Sequence, residues 1–175
     1  GGNPLLSLPA GEHVLTVSAV NSERAFHAFR FLDITDAPML PAFGERVEAM
    51  LNPASRTDLY RFEAEAGQEL YFDLDGSATG NVTYRLIGPD GLLVQGPRSL
   101  GDLGPFVLGT AGVYTLLIEG RVSRHDQGPQ PYGFVLHRVA GGDTDIALIP
   151  SAATPIAGEI TSPGERHRYH FTLDA

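Results

Sequence analysis

The sequence predicts an all-β protein, an antiparallel, jelly-roll-like β-sandwich arranged as tandem modules. Three observations carry this. Apolar residues alternate with polar ones over short runs: Tyr60 and Phe62; Leu70, Phe72 and Leu74; Val82, Tyr84 and Leu86; Tyr114, Leu116 and Ile118; Tyr132, Phe134 and Leu136. That is the period of a strand with one buried face. The intervening Arg61, Glu69, Asp73, Thr83, Arg85 and Thr115 are polar, as in a sheet with one wet side, and two such sheets stack as a sandwich. The second observation is punctuation, since the 21 Gly and 13 Pro fall largely between the apolar runs. The third is repetition. Thr35, Asp36, Pro41, Tyr60 and Phe62 recur without a gap as Thr144, Asp145, Pro150, Tyr169 and Phe171.

Shorter matches support the repeat. Residues 10–17 parallel 111–118, and 27–31 parallel 132–136. The chain therefore divides into the C-terminal strands of one module (1–34), a complete module (35–143) and the N-terminal strands of a third (144–175). The first part reads as strands at 13–19 and 25–34. The complete module reads as eight strands: 46–51, 58–63, 68–74, 82–87, 92–95, 106–108, 113–119 and 132–139. Asn52-Pro53, Ala66-Gly67, Asp75-Gly76, Pro89-Asp90-Gly91, Gly96-Pro97 and Ala111-Gly112 mark turns between them. The last part contributes a strand at 168–173. No stretch has the 3.6-residue period of a long helix. The nine in-facing residues Tyr60, Phe62, Leu70, Phe72, Tyr84, Leu86, Leu116, Ile118 and Phe134 are the expected core.

Composition narrows the chemistry. The net charge is −9 and no basic run exists, so nucleic acid and membrane insertion are not expected. The chain has no Cys, which removes disulfides, thiol catalysis and thiolate metal sites. No nucleophile elbow, metalloprotease helix motif or phosphate loop is present, so no catalytic residue is nominated and the chain is not read as an enzyme.

In order, Gly44-Glu45, Asp58-Leu59-Tyr60-Arg61-Phe62, Ala66-Gly67-Gln68, Pro89-Asp90-Gly91, Ala111-Gly112-Val113-Tyr114-Thr115-Leu116 and Tyr132-Gly133-Phe134 resemble the bacterial pre-peptidase C-terminal domain. The resemblance implies jelly-roll-like modules of exported bacterial proteins, extracellular or at the cell surface. It implies a structural or spacer role in a fibre, filament or surface adhesin. The alternatives are a module that binds a glycan or fibrous protein, or an accessory domain of a secreted protease.

Calcium is the one cofactor the carboxylates raise. Asp73-Leu74-Asp75-Gly76 opens like a calcium loop, but Ala78 and Tyr84 stand where an EF-hand needs Gly and Glu. Asp36 and Asp145 recur at the module junction, each after a Thr, and such a pair also reads as a capped turn. Asp73, Asp75, Asp36 and Asp145 are thus calcium candidates that fall short of the roughly six to eight oxygens the ion takes. His167 and His170, three apart on a strand, point to opposite faces and read as solvated. Isolated strand pairs are marginal in water. The end strands are therefore expected to pair head-to-tail with other copies of the protein, or with sequence outside this window.

Overall fold

The computed structural model describes residues 5–18, 27, 29–74, 82–124, 127–146 and 155–172. The strands are β1 (Arg46–Leu51), β2 (Thr57–Ala64), β3 (Glu69–Asp73), β4 (Val82–Ile87), β5 (Leu93–Ser99), β6 (Leu103–Val107), β7 (Gly112–Gly120), β8 (Gln130–Arg138), β9 (Gly141–Ile146) and β10 (Arg166–Phe171). Among the described residues the one helical element is a three-residue 3-10 turn, Val122–Arg124.

The first eight strands form two four-stranded antiparallel sheets, in orders β1-β8-β3-β6 and β2-β7-β4-β5. The first strand thus pairs with the eighth, the second with the seventh, the third with the sixth and the fourth with the fifth. The core lies between the sheets. It contains eight of the nine expected residues, with Tyr60 half-buried against them. Leu51, Leu108, Tyr114, Tyr132 and Leu136 join them. Phe72 stacks on both Tyr84 and Phe134, with ring centroids 5.2 and 5.1 Å away. The buried Tyr114 hydroxyl donates to the Thr110 carbonyl at 2.5 Å, which removes the cost of an orphaned polar group.

The structure departs from the sequence reading in four places. First, β5 runs past Gly96-Pro97 and β6 begins before Gly104-Pro105, because the register shifts opposite β4 and β3 absorb these residues. Both are edge strands, where proline's missing N–H costs no ladder bond. Second, Thr115, Leu117 and Ile87 are buried although they face away from the core. The N-terminal segment lies over that face: Leu5, Leu6, Arg30, Phe31 and Leu32 share a cleft with Arg85, Ile87, Leu117 and Glu119. Arg30 donates to the Gly120 carbonyl at 3.0 Å. Third, no strand forms among the described residues of 13–19 and 25–34; Ala19, Ala25, Phe26 and Ala28 lie outside the described set.

Fourth, the ends do not await another copy. β10 pairs in parallel with β9 of its own chain, over six residue pairs. Arg166 is ion-paired with Glu69 of the sandwich. The expected head-to-tail pairing with other copies is corrected accordingly: both ends are tied to their own chain, one by strand pairing and one by side-chain contacts with the outer face.

The two matching stretches of sequence share a turn. Arg56 N–H donates to the Pro53 carbonyl at 2.8 Å, and Glu165 N–H donates to the Ser162 carbonyl at 3.1 Å. Each turn leads into a strand, β2 or β10, with a parallel neighbour. The neighbour differs in register. Arg61 bridges Met39, whereas its counterpart His170 pairs with Asp145, the counterpart of Asp36.

Candidate functional site

The flank carrying β1 and β2 holds a polar chain that links the two sheets. Asp58 and Tyr60 sit on the core-facing side of β2, opposite Ile118 and Leu116. Tyr132 is on β8 of the other sheet. Its hydroxyl donates to Asp58 Oδ2 at 2.7 Å, so the Tyr60 hydroxyl, 2.5 Å away, is the donor to Tyr132. Arg56 Nε donates to Asp58 Oδ1 at 2.6 Å. Burial, then the hydrogen bonds to Tyr60 and Asp58, push the Tyr132 phenol above its ordinary range. Burial likewise raises Tyr60.

Tyr132→Phe is expected to lower stability by about 1–3 kcal/mol, because Tyr60 then loses its partner and Asp58 keeps Arg56 alone. The neutral phenol is the folded form. Its contribution is complete below the unfolded phenol value of about 10 and falls as pH rises above that. Urea midpoints at pH 7 and on the alkaline side check both points; an unchanged alkaline slope in the variant would refute the second.

Beside this chain runs an open groove of about 490 Å³, lined by Asp33, Asp36–Pro38, Ala49, Met50 and residues 56–60. The Thr35 hydroxyl and amide both donate to Asp33 Oδ1, at 2.6 and 2.9 Å. They hold that carboxyl below its usual range, so it stays anionic.

The matching stretch in the tail is built alike, with the acid and the nitrogen base exchanged in order. Glu165 and His167 take the places of Arg56 and Asp58, and bond at 2.7 Å. Bonds from Thr161, His167 and Ser162 hold the Glu165 carboxyl down at about 2. What differs is cover. Phe62 is 4% exposed and its counterpart Phe171 is 59% exposed. Leu51 is 0% exposed and its counterpart Ile160 is 59% exposed. Ile156 and Tyr169 are exposed as well.

The calcium candidates are dispersed. Asp36 lines the flank groove, Asp73 on β3 faces His137 at 3.5 Å, and Asp145 on β9 pairs with His170 of β10 in the strand register. Asp75 lies outside the described residues. Among the described residues no three His, Asp or Glu side chains are grouped to hold a metal. His170 is exposed, 3.7 Å from Asp143, whereas His167 is not simply solvated: it is part-buried on Glu165. Sequence reasoning missed the Arg56–Asp58–Tyr132–Tyr60 chain. Its signal was an Asp at a core-facing position two residues before a Tyr.

No family model and no curated protein matches the chain. Solved structures similar to it include PliG of Aeromonas hydrophila, a periplasmic inhibitor of g-type lysozyme, at 18% identity and a TM-score of 0.41 over 58% of this chain and 93% of that one. PliG of Salmonella Typhimurium is similar at 14% identity and a TM-score of 0.43, over 58% and 97% of the two chains. A mutant of Escherichia coli PliG gives 14%, 0.43, 58% and 96% for the same measures. No residue role is carried across at this identity.

These findings overturn the resemblance to the pre-peptidase C-terminal domain. The expectations drawn from it fall too: spacer, fibre, filament or adhesin, glycan- or fibrous-protein-binding module, and protease accessory. The physical reason lies in the motifs. Gly-Glu, Pro-Asp-Gly and Ala-Gly-x-Tyr are turn and strand-start residues that many antiparallel sandwiches need, so they report local β chemistry more than descent.

Proposed function

We propose that the chain is a non-catalytic protein-binding β-sandwich of the bacterial envelope. The observation that carries this reading is the uncovered face of the tail, where Ile156, Ile160, Tyr169 and Phe171 are exposed while their central counterparts pack in or against the core. An apolar face with aromatic residues and a polar rim is the composition of a protein interface. His167, partly exposed, supplies part of such a rim. The envelope location is part of the proposal; the similar solved structures are of periplasmic proteins.

The finer architecture belongs to the same reading. The pairing of first strand with last, and so inward to the fourth with the fifth, supports a jelly-roll-like module at 35–143. The recurring turn and strand support a division into 1–34, 35–143 and 144–175.

A photo-crosslinking side chain placed at Phe171 tests the reading. Irradiation with bacterial envelope fractions, and separately with a purified g-type lysozyme, is expected to give a discrete adduct with a different protein in at least one arm. The same probe at Glu63, exposed on β2, should give none. Adducts with its own chain alone, or none in either arm, would overturn the proposal.

A further inference from the structure

The flank groove carries an inference separate from the tail face. A sandwich of two four-stranded sheets has four edges, and the strands there are β1, β6, β2 and β5. Pro97 and Pro105 interrupt the donors of β5 and β6. On β2, the Leu40 N–H donates to the Arg61 carbonyl at 2.7 Å, and the Arg61 N–H donates to the Pro38 carbonyl at 2.8 Å. Arg61 therefore points its backbone groups away from β7. Backbone direction alternates along a strand, so Leu59 and Thr57 point theirs the same way. Nothing among the described residues pairs with them there. Pro38 has no N–H with which to continue the ladder, and Arg61 Nη1 donates to the Thr35 carbonyl at 3.0 Å, which holds the chain in its turn away from β2. The gap so formed is the groove.

The tail shows what that edge takes. On β10, the copy of β2, the same edge is filled along its whole length by the parallel strand β9. The groove on β2 also has a chemistry. Asp33, Asp36 and Asp58 line it against one cation, Arg56, which is spent on Asp58. Thr57 is 8% exposed, and its buried hydroxyl has no hydrogen-bond partner.

We propose that the uncovered edge of β2 at residues 57–59 is a strand-addition site for an extended, basic segment of a protein partner, which takes the place that β9 takes on β10. Main-chain bonds to Leu59 and Thr57 give the affinity, and a Lys or Arg beside Asp33 and Asp36 gives the selectivity.

The test uses the full chain and three capped pentapeptides: Val-Lys-Val-Lys-Val, the same peptide with Glu for Lys, and the lysine peptide N-methylated at alternate amides. Amide resonances of the chain are followed during each titration. The lysine peptide is expected to shift and protect the Leu59 and Thr57 amides, and to bind more weakly as salt rises. N-methylation should weaken it by about tenfold or more, through lost backbone bonds. The Glu peptide should not bind, and Asp36→Asn should weaken the lysine peptide several-fold. Equal binding of the Glu or N-methylated peptide overturns the proposal. So does protection of β1 or β10 amides in place of Leu59 and Thr57, or the absence of binding. None of these results bears on the adduct at Phe171, so the two readings fail separately.

Discussion

Phe62→Ala is expected to cost about 3–5 kcal/mol, and Phe171→Ala less than about 0.5 kcal/mol, although the two residues occupy the same position of the repeat. Phe62 stacks on Tyr114 with centroids 5.5 Å apart, and meets Phe43 edge-on at 5.8 Å. Phe43 in turn carries the Arg138 guanidinium 4.4 Å above its ring. Truncation opens a cavity between the two sheets and loosens the loop that holds Phe43. Among the described residues no second sheet closes around Phe171, so alanine there removes atoms that already face water. Urea denaturation of the two variants measures both. Equal losses would mean that the tail face is covered in solution, and the reading of Phe171 as a binding surface would fail.

The contrast shows where a sequence speaks and where it is silent. The period-two pattern placed β1 and β4 at their observed bounds, because both strands have one face in the core and turn residues at each end. It assigned Tyr60, Phe62 and Phe134 to the inside for the same reason. The pattern cannot see cover added from elsewhere. Thr115 looks outward and polar, yet it is buried, and the N-terminal segment lies over its neighbour Leu117 on the same face. Nor can it say whether an inward face has a partner. Phe171 and Phe62 lie in the same pattern, and only the neighbours of β10 and β2 tell them apart. β9 escaped notice because Gly141-Gly142-Asp143-Thr144-Asp145-Ile146 lacks the apolar alternation of a strand. It forms through its backbone ladder with β10. The candidate site was partly legible. Asp58 at a core-facing position is costly unless bonded, but Tyr132, its partner, is 74 residues away along the chain. The groove depends on where residues 33–38 leave β2, a property of chain path that no local pattern encodes.

Gly120→Ala is expected to lower stability by about 3 kcal/mol and to disturb the flank from below, because overpacking against backbone leaves no side chain free to yield. Gly120 ends β7, opposite Val82 of β4, and its N–H donates to the Arg56 carbonyl at 2.8 Å. A methyl group there would overlap the Ala54 carbonyl oxygen, and would stand 2.8 Å from the Ala54 carbonyl carbon and 2.9 Å from the Arg56 carbonyl oxygen. All are backbone atoms of the turn between β1 and β2. Ala54 is itself buried, so the turn cannot lift without exposing it. Relief must come from moving Arg56, which holds Asp58, which receives the Tyr132 hydroxyl. The variant should therefore lose stability and, in the folded state, show altered Tyr132 and Tyr60 hydroxyl environments by tyrosine fluorescence and side-chain resonances. Gly128→Ala is the control, since a methyl group there meets nothing within 4 Å. A thermal melt of Gly120→Ala that matches the control would show that the turn does not rest on β7, and that the path from Gly120 through Arg56 to the groove does not exist.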